Sequence, residues 1–240
     1  MEVYFDQFGV FWEGFLGTVQ MCVLAAVGAL AIGTLVAVLR VAPLPPVRGV
    51  GTAYVTVFRN IPLTVVMFVC AFVLPLLGSN ADFLKIPGLT TLIRPLGTEL
   101  PFFRFATIAL TVYTAAFVCE ALRSGINAVP VGQAEAARSL GMTFGQNLRH
   151  IVLPQAWKFA IVPLGSVIIA MIKNSALALS FGVLASMTGV FDRLISQAEG
   201  ASYDSMAVLV GVVVGYLVLT IPLGLVLDAV ERSQKKTVRR

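Results

Sequence analysis

GQAEAARSLGMTFGQNLRHIVLP, residues 132–154, is the one long polar interruption between strongly apolar segments in the C-terminal half of this 240-residue chain. Its residues spell two short helices with a break between them. From 133 to 140 the stretch consists of good helix formers, and Glu135 and Arg138 stand one turn apart, able to pair. Gly141 follows, where a helix C-terminus favours a residue that tolerates positive φ. Thr143, with Gln146 three residues on, is a capping-box pattern that restarts a helix at once. Pro154 has no backbone N–H to give a helix interior and sets the next boundary. The pattern predicts a compact helix–turn–helix, which on a membrane protein's surface is a docking element rather than a tether.

Composition places the chain in a membrane. It is 58% hydrophobic and 12% charged, against about 25% charged in a typical soluble domain, and its mean hydropathy is +0.91. The net charge of +5 is not spread over a face that nucleic acid could use. Arg232, Lys235, Lys236, Arg239 and Arg240 crowd the C-terminal tail, which fits a cytoplasmic end beside anionic lipid. Cys22, Cys70 and Cys119 sit far apart in apolar segments without C-x-x-C spacing, so they read as small buried hydrophobes. A single histidine, His150, cannot build a metal centre.

The apolar runs give five spans, at about 15–39, 52–77, 104–122, 159–183 and 206–230, for a bilayer core of ~30 Å. The N-terminus carries Glu2, Asp6 and Glu13 and no basic residue, so it is not a secretory signal and is free to lie outside. Arg40 and Arg48 hold the first loop inside. Alternation then puts residues 78–103 and 185–205 outside, and both the helix–turn–helix and the C-terminus in the cytoplasm. Ala25, Ala29, Gly33 and Ala37 repeat every fourth residue, as do Ala207, Gly211 and Gly215, and such stripes allow close helix approach in lipid. Pro222 is expected to bend the last span. The expected fold is an all-α membrane protein of about five transmembrane helices, one domain over 1–240, with its polar loop between the third and fourth spans.

A few polar groups interrupt these spans. Arg59 and Asn60 lie near the start of the second, where a charge either snorkels or faces a cavity. Glu120 and Arg123, one turn apart at the end of the third, pair with each other or with the helix–turn–helix. Lys173 lies ~14 residues into the fourth span, about 21 Å along it. There a lysine costs at least ~2.5 kcal/mol unless paired or wetted. With Asn174, Ser175 and Ser180 it either lines a translocation path or pairs with a polar group on another helix. No G-x-x-x-x-G-K-[ST] loop occurs, nor any Gly-Lys dipeptide, so ATP cannot be held by a P-loop here. No carboxylate pair, Ser/His/Asp constellation or H-E-x-x-H supports a hydrolase. Any energy the chain uses must then come from another polypeptide or from an ion gradient.

Several linked motifs carry a resemblance to one family. Glu135-Ala136-Ala137, Gly141, Ile151, Leu153 and Pro154 resemble the EAA loop of ABC importer permeases with a MetI-like transmembrane domain. Phe58-Arg59-Asn60-Ile61-Pro62-Leu63 resembles the FRGTPL element of the polar amino-acid branch, Glu120-Ala121-Leu122-Arg123-Ser124-Gly125-Ile126 its E-x-x-R-x-G-I, and Lys173-Asn174-Ser175 its K-[DN]-[TS]. The match runs from about 15 to 230 in consistent order. Asn174-Ser175-Ala176 departs from the family's usual Asp/Asn-Thr-Ser, which leaves the pore lining open.

The resemblance implies an ATP-driven amino-acid importer subunit. Gln133, Glu135, Ala136, Ala137, Arg138, Gly141, Leu153 and Pro154 would couple to a cytoplasmic ABC ATPase dimer. That partner, rather than this chain, would bind ATP and Mg. A second permease subunit, identical or related, would complete the pore, and an extracytoplasmic solute-binding protein would deliver cargo. Arg59, Asn60, Glu120, Lys173, Asn174 and Ser175 are the candidates for the path. The runs at 120–127 and 132–141 resemble glutamate-type permeases, so glutamate or aspartate is the expected cargo, with basic amino acids or glutamine behind. The rival class is an ion-coupled secondary transporter. Such proteins often have ten or more spans and membrane-embedded acids, whereas five spans and no mid-membrane carboxylate are read here.

Overall fold

The stripe of small residues on the first apolar segment is where the fold closes. Helix α1, Phe8–Val41, buries Ala25, Ala29, Gly33 and Ala37 against helix α4, Pro101–Asn127. A Cβ on Gly33 would lie 2.6 Å from Val118 Cγ1 and 2.8 Å from the Ala115 carbonyl oxygen. The close approach therefore requires glycine, and the stripe serves packing within the chain. Lipid tails are as apolar as leucine, so it is fit between helices, more than burial as such, that holds them together.

The computed structural model describes residues 7–42, 44–78, 101–181, 189–190, 194 and 205–238, and these are helices and the short turns between them, with no strand among them. After α1 come α2, Pro45–Asn60, and α3, Leu63–Phe68, which runs on through a π turn at Val69–Val73 into Leu74–Leu76. Then follow α4, α5 (Val131–Ser139), α6 (Phe144–Asn147) and α7 (Leu153–Asn174). A 3-10 segment, Ser175–Phe181, extends α7, and α8 spans Ser205–Val238. Helices α1, α7 and α3 pack around α4, and α8 packs on α7. Phe103, Phe105, Leu110, Met67, Met171 and Met21 form the centre of the packing. Cys22, Cys70 and Cys119 are buried and unbridged, as small core residues.

Among the described residues four helices are long and apolar enough to cross a membrane, five if the bent pair α2–α3 counts as one span. Two features differ from the sequence reading. The second span, expected as one run over 52–77, is two helices meeting at 104°. The hinge is Ile61-Pro62: proline forces the preceding residue out of the helical region, and Ile61 is extended at φ −95°, ψ 133°. Pro154 does not separate the polar loop from the fourth span. Gly145–Ala178 is one rod, with a π turn at Leu148–Val152 that ends one residue short of the proline. A π turn at that point accommodates a residue that offers no N–H to the turn before it. Pro222 lies inside α8, which runs as one helix from Ser205 to Val238. Segments 79–100 and 195–204, expected on the outer side, Glu2, Asp6 and the side chains of Ser180 and of the tail from Lys235 onward lie outside the described residues.

Candidate functional site

Local chemistry builds the protrusion at 131–154 as its sequence foretells. α5 ends in a Schellman motif: Met142 N–H donates to the Ala137 carbonyl at 3.2 Å and Gly141 N–H to that of Arg138 at 2.9 Å. Gly141 has φ +79°, the left-handed conformation that glycine adopts without a Cβ penalty. Thr143 and Gln146 close the capping box. Thr143 N–H donates to Gln146 Oε1 at 2.9 Å, and Gln146 N–H to Thr143 Oγ1 at 3.4 Å. Ala137 is buried, while Gln133, Glu135, Ala136 and Leu140 face outward, Leu140 at 83% exposure. Glu135 and Arg138 do not pair; Arg138 Nε donates instead to the Ala134 carbonyl at 3.3 Å. Leu153 and Pro154 are exposed where α7 begins.

One residue in the protrusion escaped the sequence reading. Asn147 is buried, and its Nδ2 donates to the Ala134 carbonyl at 2.8 Å, joining α6 to α5. Behind this joint is a cavity of about 620 Å³ whose walls include Val41, Ile126, Val129, Ala134, Arg138 and Asn147.

The second cluster centres on Glu120. Arg40 at the end of α1 donates Nη1 to Glu120 Oε1. Arg59 at the end of α2 places Nη1 3.6 Å from Oε2, and Arg123, one turn on, lies 3.8 Å from Oε1. One carboxylate thus faces three guanidiniums and fastens α1, α2 and α4 together. Glu120 does pair with Arg123, but its other partners are Arg40 and Arg59 rather than the protrusion. Asn60 is exposed, its Nδ2 turned back to the Thr56 carbonyl at 2.6 Å. Tyr54 adds a tie from α2 to α4, donating to the Val112 carbonyl at 2.6 Å. Gly125 lets α4 and α7 touch, since a Cβ there would fall 2.5 Å from the Ala156 carbonyl oxygen.

Lys173, Asn174 and Ser175 stand apart from both clusters, where α7 gives way to the 3-10 segment. Lys173 is exposed and has no ion-pair partner among the described residues. Ser175 is fully buried, donating to the Ile172 carbonyl at 2.7 Å with Tyr216 Oη 3.4 Å away. Ser175 is a packed helix-end residue. Among the described residues no group of His, Cys, Asp and Glu could hold a metal ion.

Residues 10–240 match the family described as the binding-protein-dependent transport system inner membrane component. The chain belongs to that family. This permease is 38% identical over 238 residues, 99% of each chain, to a probable glutamine ABC transporter permease of Bacillus subtilis. A glutamate transport system permease of Corynebacterium glutamicum is 40% identical over 213 residues, 87% of this chain and 86% of that one. An arginine transport system permease of Bacillus subtilis is 30% identical over 223 residues, 93% of this chain and 91% of that one. Among solved structures, an amino acid ABC transporter crystallised with histidines matches with TM-score 0.78 at 28% identity, over 95% of both chains. A methionine ABC transporter at 19% identity shares the fold, with TM-score 0.71. The permease is a multi-pass, non-catalytic membrane component of an amino-acid ABC importer.

Proposed function

We propose that this permease forms half of the translocation path of an importer for glutamate and aspartate and is driven through its protrusion by an ATPase dimer on the cytoplasmic side. A second permease subunit, the same chain or a related one, supplies the other half, and a solute-binding protein loads the outer mouth. The N-terminus lies outside and the C-terminus inside, in keeping with Arg40, Arg48 and the basic tail.

The observation that carries the coupling role is the construction of the protrusion. A Schellman stop and a capping box fix its turn, so α5 presents Gln133, Glu135, Ala136 and Leu140 as a stiff ridge. An exposed leucine on a rigid, otherwise polar helix suits a partner's groove. ATP and Mg belong to that partner. Within the bundle, charge favours an anionic cargo: three arginines surround Glu120, and Lys173 is exposed. Arg59 and Lys173 are the residues of the path that meet the cargo, with Asn60 and Asn174 beside them, while Glu120 and Ser175 hold the frame.

Uptake by the complete transporter in vesicles, with labelled glutamate, glutamine and arginine offered in parallel, tests the cargo. Saturable uptake of glutamate outcompeted by aspartate is expected. Preference for glutamine or arginine would reassign it. Relatives named for glutamine and arginine transport make those the alternatives. Collapse of uptake with a protonophore, with ATP intact, would instead favour an ion-coupled carrier.

A further inference from the structure

Asn147 stands at the joint of the protrusion and is 6% exposed. Its orientation is set by chemistry, because only the NH2 end of an amide can face the Ala134 carbonyl. Its Oδ1 has no hydrogen-bond partner among the described residues. A buried amide with an orphan acceptor adds little to stability, since the cost of the bare oxygen offsets its one bond. What Asn147 does supply is a connection. α6 continues through the π turn into α7, so residues 145–178 form one rod that carries Lys173. α5, by contrast, stands off from α4 across the 620 Å³ cavity and joins it through residues 128–130.

We infer that Asn147 is a positioning residue that makes α5 move with α7 rather than with α4. The 128–130 link is the hinge, and the cavity is the space into which it closes. The inference rests on the proposed docking of α5 to the ATPase and adds the route by which motion leaves it. A displacement of α5 passes through the fixed 140–143 turn and the Asn147 amide together into the rod and reaches the level of Lys173 about 26 residues, or ~39 Å, away.

The test uses the assembled transporter, with spin labels at Ser139→Cys paired with Trp157→Cys, or at Ser139→Cys paired with Ser124→Cys. Labelled chain is diluted with unlabelled chain. Between the nucleotide-free and ATP-trapped states, the 139–157 distance stays fixed and the 139–124 distance shifts. The reverse pattern overturns the inference. In Asn147→Leu, ATP consumed per amino acid imported rises severalfold with an unchanged thermal midpoint, and Asn147→Gln, which keeps the donor, restores the ratio. An unchanged ratio in Asn147→Leu also overturns it. Cross-linking from Leu140→Cys to the ATPase checks the underlying reading separately. Its failure in an active complex removes the docking role, and this inference with it.

Discussion

Arg59 Nη1 lies 3.6 Å from Glu120 Oε2, so the end of α2 is fastened to α4 just where the chain turns through 104° into α3. With Arg40 on the other carboxylate oxygen, one acid holds three helices. Glu120→Gln removes the only carboxylate in the cluster and leaves three guanidiniums facing one another. The groups are partly exposed, so the loss should fall between surface and buried values, about 1–3 kcal/mol. Thermal unfolding of the purified chain in detergent should show a lowered midpoint. Arg59→Gln, at a half-exposed partner, should cost under about 1 kcal/mol.

Gly141 has open space around it, so only its φ of +79° resists substitution. Gly141→Asn should therefore transport nearly as well as the parent, since asparagine tolerates the left-handed region. Gly141→Val pays about 1–2 kcal/mol there and should misalign α5, abolishing uptake while membrane insertion persists. Uptake and membrane-fraction immunoblots of the two variants side by side decide this; equal transport would remove the need for the Schellman turn.

Gly33 offers a packing test. Gly33→Val would drive side-chain atoms into Val118 and the Ala115 carbonyl, a strain of about 1–3 kcal/mol. Gly224→Val, where a Cβ meets nothing within 4 Å, should leave stability unchanged. Yield and midpoint in detergent separate the two.

Lys173→Met should express and fold normally, because Lys173 is exposed and unpaired among the described residues. Uptake should fall steeply if the ammonium meets an anionic cargo. Loss of the protein itself would point to a packing role.

How much of this was legible in the sequence depended on range. The Schellman stop and capping box read correctly because every bond spans five residues or fewer, and turn chemistry is written in those residues. The stripe at Ala25, Ala29, Gly33 and Ala37 was equally plain, although its partner was not. The Arg40–Glu120 contact joins residues 80 apart, and nothing local marks Arg40 as more than a topology signal. The 104° bend was signalled by Ile61-Pro62, but apolar flanks on both sides made the segment read as one span. Asn147 carried no signal, being an ordinary helix-surface asparagine until α5 folds over it. Pro154 misled for a physical reason: a π turn absorbs the missing N–H, so the helix continues where a proline ordinarily ends it.

The most direct measurement is uptake into sealed vesicles that hold the permease with ATP inside and the binding protein outside, with and without the ATPase. Glutamate should accumulate only when the ATPase is present, and Leu140→Cys should cross-link to it. Accumulation by the permease alone, or Leu140→Cys labelled by an impermeant reagent from the outer face, would contradict the account.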